Sequence, residues 1–228
     1  MKPLPPRTSR GFTLLELLTA ILIIGVLVSL AAPALNNAIR KARSAACQSN
    51  LRQLGLATQL FTQESNGYMP DIGWWAQEIL PYAGAERPYR DIFWCPAATR
   101  QECPVVAGRT LSVYRNNQLI PIGYGINGNY PSNNGQYAYG NLGTRSPERR
   151  MNNIPNPSKV VLYLDQAGGY ANLFYNTQDR FSTRHAPSSD PNKMGLNAVF
   201  VDGHVESLSM TYDTAARSPW RSMFDAVW

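Results

Sequence analysis

From Phe12 to Leu35 the chain is almost wholly apolar, with one charge, Glu16, inside the run. The run is 24 residues long. As a helix rising about 1.5 Å per residue it reaches roughly 36 Å, enough to cross a hydrocarbon core of about 30 Å. A cleaved secretory signal has an apolar core of only about 7–15 residues and a small-residue site after it, which this segment lacks. A lone carboxylate in an apolar span is costly, so Glu16 is a candidate functional residue.

After Pro33 the pattern changes period rather than ending. Residues 34 to 64 hold no proline and a single glycine, Gly55, among strong helix formers. Cys47, Leu51, Leu54, Thr58 and Phe61 recur at helical spacing and form one stripe. Arg40, Lys41, Arg43, Asn50 and Arg52 fall mostly off it. The pattern predicts one helix from Phe12 to about Ser65, bent at Pro33, whose second half packs its stripe on a globular head. Asn66-Gly67 is a helix-ending signal.

The middle of the chain, 68 to 156, is rich in Pro, Gly, Asn and Tyr. Trp74, Trp75 and Trp94 are expected to cover the stripe. The last third reads as sheet. Lys159 to Leu164 is a strand entered through Pro155 and Pro157, Leu196 to Val201 a second, and His204 to Met210 a third. Asp202-Gly203 predicts a two-residue hairpin turn with positive φ at both positions, closing a hairpin over 196–210. Trp220, Phe224 and Trp228 are expected to return to the head. The fold class is therefore α+β: a long N-terminal helix kinked at Pro33, packed on a small antiparallel sheet.

Length and charge limit the alternatives. The 228 residues suffice for one domain with a core plus a stalk. Three of the 21 cations, Lys2, Arg7 and Arg10, precede Phe12, which leaves 18 basic against 15 acidic residues. That balance makes no case for nucleic acid as a partner.

The string Arg10-Gly11-Phe12-Thr13-Leu14-Leu15-Glu16-Leu17 resembles the processing motif of type IV pilins and type II secretion pseudopilins. The resemblance implies cleavage by a prepilin peptidase between Gly11 and Phe12, N-methylation of Phe12, and a guiding role in assembly for Glu16. Pro33 matches a helix-kinking proline of such stalks. The implied divisions are a leader (1–11), a transmembrane and filament-core helix (12–35), an amphipathic stalk (36–66) and an α+β head (67–228). The implied partners are the peptidase, other pilin or pseudopilin subunits, an inner-membrane assembly platform and the lipid bilayer. The implied location is the inner membrane, single-pass, with leader cytoplasmic and head extracytoplasmic, or a surface or periplasmic filament. An unpaired Glu16 in lipid would seek a cation, and the amine of a neighbouring Phe12 is one, so pairing would penalise the wrong register. The competing reading is a membrane-tethered extracytoplasmic binding protein that never polymerises.

A second resemblance covers the head. Cys47 to Ala57, Gly67-Tyr68-Met69-Pro70 and Trp94-Cys95-Pro96, with Arg184-His185 and Asn197 to Val205, resemble pilin-like proteins with a C-terminal H-X9-DG signature. His185, Asp202 and Gly203 stand at the signature positions, but residues 186 to 201 intervene, more than the family spacing. The implied topology places Cys47, Cys95 and Cys103 in an oxidising space. Cys95 and Cys103 could close a small loop; Cys47 with Cys95 is the rival pair.

Chemistry beyond this is sparse. Gly123-Tyr124-Gly125-Ile126-Asn127-Gly128 spells G-x-G-x-x-G, but the residues after it cannot open a helix. Asp165, His185, Asp202 and His204 could cluster, though structural roles are the expectation. Zinc is disfavoured, because no C-x-x-C pair occurs and too few ligands cluster. Calcium stays open through Asp and Asn oxygens, with no ligand set assigned. No nucleophile elbow, H-E-x-x-H or P-loop is present, so neither an enzyme nor a cofactor is expected. Tyr124, Tyr130, Tyr137 and Tyr139 are expected to pack rather than stack on ligands.

Overall fold

The computed structural model describes residues 13–71, 74–84, 92–99, 112–115, 118–127, 129–131, 137–139, 150–166, 172–173, 184–185 and 193–211. The chain divides into two units, Met1–Lys41 and Ala42–Trp228. In order, the elements are helix α1 (Leu14–Glu64), helix α2 (Trp75–Glu78) and a 3-10 turn (Leu80–Tyr82). Strands β1 (Ser112–Arg115), β2 (Gln118–Pro121), β3 (Tyr124–Asn127), β4 (Asn129–Pro131) and β5 (Tyr137–Tyr139) follow. A second 3-10 turn (Met151–Asn153) precedes β6 (Val161–Asp165), β7 (Asn172–Leu173), β8 (Lys193–Phe200) and β9 (Val205–Thr211).

In the first unit, α1 presents its apolar side chains outward all round, from Leu14 through Leu35. Among the described residues it is the one helix long and apolar enough to cross a membrane. The helix continues through Pro33.

In the second unit the same helix turns amphipathic, as its stripe predicts. Cys47, Leu51, Leu54, Thr58 and Phe61 are all buried. Each fully buried leucine contributes about 1.5–3 kcal/mol relative to exposure. Asn50, placed off the stripe by its polarity, is buried too, because its Nδ2 donates to the Trp94 carbonyl at 3.1 Å. The helix ends where Asn66-Gly67 predicts. Asn66 takes φ 55° and Gly67 φ 84°, and the Gly67 N–H donates to the Thr62 carbonyl at 2.7 Å, satisfying a last-turn acceptor.

The main sheet has the order β7-β3-β6-β8-β9. β3, β6, β8 and β9 are antiparallel neighbours, and the two-residue β7 adds in parallel at the β3 edge. β6 is central and buried along its whole length, which its apolar composition permits. Period-2 alternation sends Tyr163 and Asp165 of β6 toward α1. The Tyr163 hydroxyl lies 2.6 Å from that of Thr58, whose own proton goes to the Leu54 carbonyl at 2.9 Å. Tyr163 therefore donates, and both buried hydroxyls are satisfied. Trp75 packs on Tyr163 with ring centroids 4.7 Å apart and on Phe93 at 5.8 Å. The expected tryptophan cover is corrected here: Trp75 is buried, but Trp74 is 58 % exposed and Trp94 only half-buried, and Phe93 takes the third aromatic place.

The hairpin forms between β8 and β9, with Val199 opposite Val205. Its turn differs from the expected one. Phe200 N–H donates to the His204 carbonyl and Gly203 N–H to that of Phe200, both at 2.9 Å. The loop is thus three residues, Val201 to Gly203. Only Gly203 has positive φ (91°), so Asp202 keeps an ordinary conformation and Gly203 alone makes the left-handed step. The C-terminal aromatics Trp220, Phe224 and Trp228 lie outside the described residues, as does any placement of Gly128.

Candidate functional site

At the N-terminus of α1, Glu16 has partners within its own first turn. Its Oε2 accepts from the Thr13 N–H at 2.9 Å and from the Thr13 hydroxyl at 2.8 Å. Thr13 Oγ1 in turn accepts from the Glu16 N–H at 3.2 Å. This is a reciprocal capping box, and Thr13-x-x-Glu16 is its sequence signature. Within the chain the carboxylate has a neutral role: it satisfies donors that the first helical turn leaves free. Gly11 and Phe12 lie outside the described residues.

A second constellation sits inside the head, where four segments converge. Cys47 comes from the buried stripe of α1, Cys95 from the loop 92–99, Asp165 from the end of β6, and His185 from the described pair 184–185. Their ligand-type atoms all lie within 4.8 Å of one another. Cys47 Sγ donates to Asp165 Oδ1 at 2.8 Å, His185 Nε2 lies 3.3 Å from Asp165 Oδ2, and Cys95 Sγ lies 3.4 Å from His185 Nε2. Cys47, Cys95 and Asp165 are fully buried, and the His185 side chain is 4 % exposed.

The fold holds each of these from behind. Gly123 N–H donates to the Phe93 carbonyl at 2.8 Å, and Gln166 N–H to the Gly123 carbonyl at 3.1 Å. A Cβ on Gly123 would stand 2.8 Å from the Cys95 backbone nitrogen, so only glycine lets the 92–99 loop close on β3. This close approach is the structural reading of the first glycine in the G-x-G-x-x-G string. Tyr124 donates its hydroxyl to Cys47 Sγ at 3.2 Å. Asn197 N–H donates to Asp165 Oδ2 at 2.7 Å. His185 N–H donates to the Gly195 carbonyl at 3.0 Å, tying the histidine to β8.

Electrostatics set the four groups apart. Burial pushes the Asp165 carboxyl up to about 7, with the neighbouring Cys95 acting in the same direction. The close approach of Cys47 draws the Cys95 thiol down to about 4, with help from His185 and Arg184. Burial pushes the Cys47 thiol far up. Burial opposes the charged imidazole of His185, but the hydrogen bond to Cys95 and the Asp165 charge outweigh it and raise its pKa. Arg184 hydrogen-bonds the Gln166 carbonyl, which brings its cation to the rim of the cluster.

The residues singled out in the sequence divide accordingly. Asp165 and His185 come together; Asp202 and His204 do not join them. Those two sit at the hairpin turn, where Asp202 Oδ1 accepts from the His204 N–H at 3.1 Å and lies 2.6 Å from His204 Nδ1. His204 stacks on Phe200 with centroids 4.2 Å apart. Cys47 and Cys95 are free thiols. Cys103 lies outside the described residues. The premise that too few metal ligands cluster is corrected. The four donors are far apart in sequence, so no spacing rule finds them, yet the fold gathers them. Two sulfurs are not calcium ligands, so the cluster supplies no site for that ion. Tyr124 and Asn197 were not singled out as supports of a site. Period-2 alternation of Tyr163 and Asp165 on an otherwise apolar strand was the available signal for a polar cluster facing α1.

A chain with this arrangement, an apolar helix opening on a capped Thr-x-x-Glu turn and an α+β head built on that helix, has a pilin-like fold. Residues 6–32 match a family model described as the prokaryotic N-terminal methylation motif. The match supports a type IV pilin-like protein whose leader is a substrate for a prepilin peptidase. Neither curated proteins nor solved structures give a match.

Proposed function

We propose that the chain is a structural filament subunit, cut between Gly11 and Phe12, methylated on Phe12, and assembled into a type IV pilus or a type II secretion pseudopilus. One observation carries the reading: the methylation motif at 6–32 runs directly into a helix whose apolar surface is exposed on every side through Leu35. Such a surface is stable in a bilayer or against copies of itself, and burying it against neighbouring helices would hold a filament together. On this reading residues 1–11 are the leader, 12–35 the anchor and later the filament core, 36–66 the stalk, and 67–228 the head. The leader faces the cytoplasm and the head lies outside the inner membrane. The assembly platform and other subunits are the partners, and the function requires no catalysis.

The test is to express the full chain with a prepilin peptidase and an assembly machinery, then shear the cells. The sheared fraction should contain a chain beginning at Phe12 and heavier by one methyl group. A chain that is cut but stays wholly in the inner membrane would favour the tethered binding protein instead. A chain that keeps its leader would overturn cleavage at Gly11 and with it the filament reading.

A further inference from the structure

We propose that Cys47, Cys95, Asp165 and His185 form a closed structural site for a thiophilic divalent metal ion, zinc above all. The donor set is two thiols, one imidazole and one carboxylate, and each type is a zinc ligand. The geometry fits a tetrahedron. Zinc–ligand bonds of about 2.0–2.3 Å require N···O edges of about 3.3 Å and S···N edges of about 3.5 Å. The structure has 3.3 Å between His185 Nε2 and Asp165 Oδ2 and 3.4 Å between Cys95 Sγ and His185 Nε2. Cys47 Sγ meets the other carboxylate oxygen, Oδ1, at 2.8 Å through a hydrogen bond, and reaching a tetrahedral S···O edge of about 3.5 Å requires an opening of about 0.7 Å when the thiol proton leaves.

The outer contacts suit a metal site as well. Asn197 N–H holds the carboxylate and Tyr124 O–H the Cys47 sulfur, so these two ligands are oriented and partly neutralised by a second group. Four protein donors leave no open position, and all are buried, which is the pattern of a structural rather than a catalytic ion. Four titratable groups packed together away from water are otherwise expensive to bury. A Cys47–Cys95 disulfide accounts for only two of them and leaves a carboxylate and an imidazole enclosed beside it. On binding, the two sulfurs and the ligating imidazole nitrogen give up to solvent whichever protons they hold, and no electrons are exchanged. The ion would tie α1, the 92–99 loop, β6 and residue 185 into one unit. This holds whether or not the chain polymerises.

The experiment uses the full chain in detergent. It is reduced, exposed to zinc alone, desalted and assayed for metal. About one zinc per chain should remain. Cys47→Ser and Cys95→Ser should lose it, and His204→Ala at the hairpin turn should keep it. Cobalt loading of the unmutated chain tests the site without relying on variants that fold. It should give tetrahedral visible bands with near-ultraviolet thiolate-to-cobalt charge transfer. Cys95→His should keep the cobalt and reduce the charge transfer by roughly half, as one of two thiolates is replaced. Zinc retained equally by the two serine variants, an octahedral cobalt spectrum, or a Cys47–Cys95 disulfide in alkylation-trapped protein from its native compartment would each overturn the proposal.

Discussion

At the scale of single residues, two side chains show how one position can answer to two constraints. Glu16 caps its own helix through Thr13, so its loss removes a cap as well as a charge. Glu16→Gln keeps a capping-box acceptor and deletes only the charge. If charge guides assembly, the glutamine variant should enter sheared filaments as poorly as Glu16→Ala, read by immunoblot of the sheared fraction. Normal entry by glutamine alone would mean that the cap, not the charge, matters. Gly123 is constrained by its neighbour instead. Gly123→Ala places a methyl group 2.8 Å from the Cys95 nitrogen, where backbone must move. It should destabilise the head by about 1–3 kcal/mol, visible as a lower midpoint in thermal unfolding.

At the scale of elements, the stripe of α1 divides consequential leucines from inconsequential ones. Leu54 is fully buried, whereas Leu56, two residues on, is about half exposed. Leu54→Ala should cost about 2–5 kcal/mol in denaturant unfolding, and Leu56→Ala no more than about 0.5 kcal/mol. The end of the same helix carries a pH-dependent contact. The Tyr82 hydroxyl donates to Glu64 at 2.5 Å, and this bond to the carboxylate raises the tyrosine pKa above its ordinary value. A group raised on folding stabilises the fold fully below its unfolded pKa and loses that contribution as pH rises through the folded one. The phenolate of Tyr82 should therefore appear at higher pH than an ordinary tyrosine in a difference titration against Tyr82→Phe. Glu64→Gln should move it back down. An unchanged titration in Glu64→Gln would show that the contact does not form in solution.

At the scale of the whole molecule, an apolar helix segment that none of the described residues covers offers its surface to something else. Lipid first and neighbouring subunits later is the arrangement that the proposed function supplies. Detergent removal from the mature chain should then produce ordered polymer or insoluble aggregate, and never a stable monomer, by sedimentation. Deleting residues 12–35 should abolish both outcomes if that surface is their cause.

The amphipathic change along α1, its Asn66-Gly67 end, the strand at Val161 and the hairpin around Gly203 were all legible in the residues. Each rests on local periodicity or on a backbone preference that one or two residues carry. The details that failed depended on neighbours. Whether Trp74 or Trp75 turns inward depends on where Tyr163 and Phe93 stand. Asp202 needs no positive φ because the loop closes with three residues rather than two. Asn50 is buried because a carbonyl from the 92–99 loop meets it.

The opening stretch of the chain needed no tertiary structure to be read. On the proposed function, basic residues, Gly11, Phe12, Glu16 and the apolar run would act in sequence order, since a peptidase, a bilayer and a helix all read a chain linearly. The buried cluster is the opposite case. Cys47, Cys95, Asp165 and His185 are separated by long intervals and share no spacing. They meet because a helix stripe, a strand end, a loop closed over Gly123 and a residue tied to Gly195 point at one volume. Metal affinity depends on distances between atoms, and only the packed fold sets those.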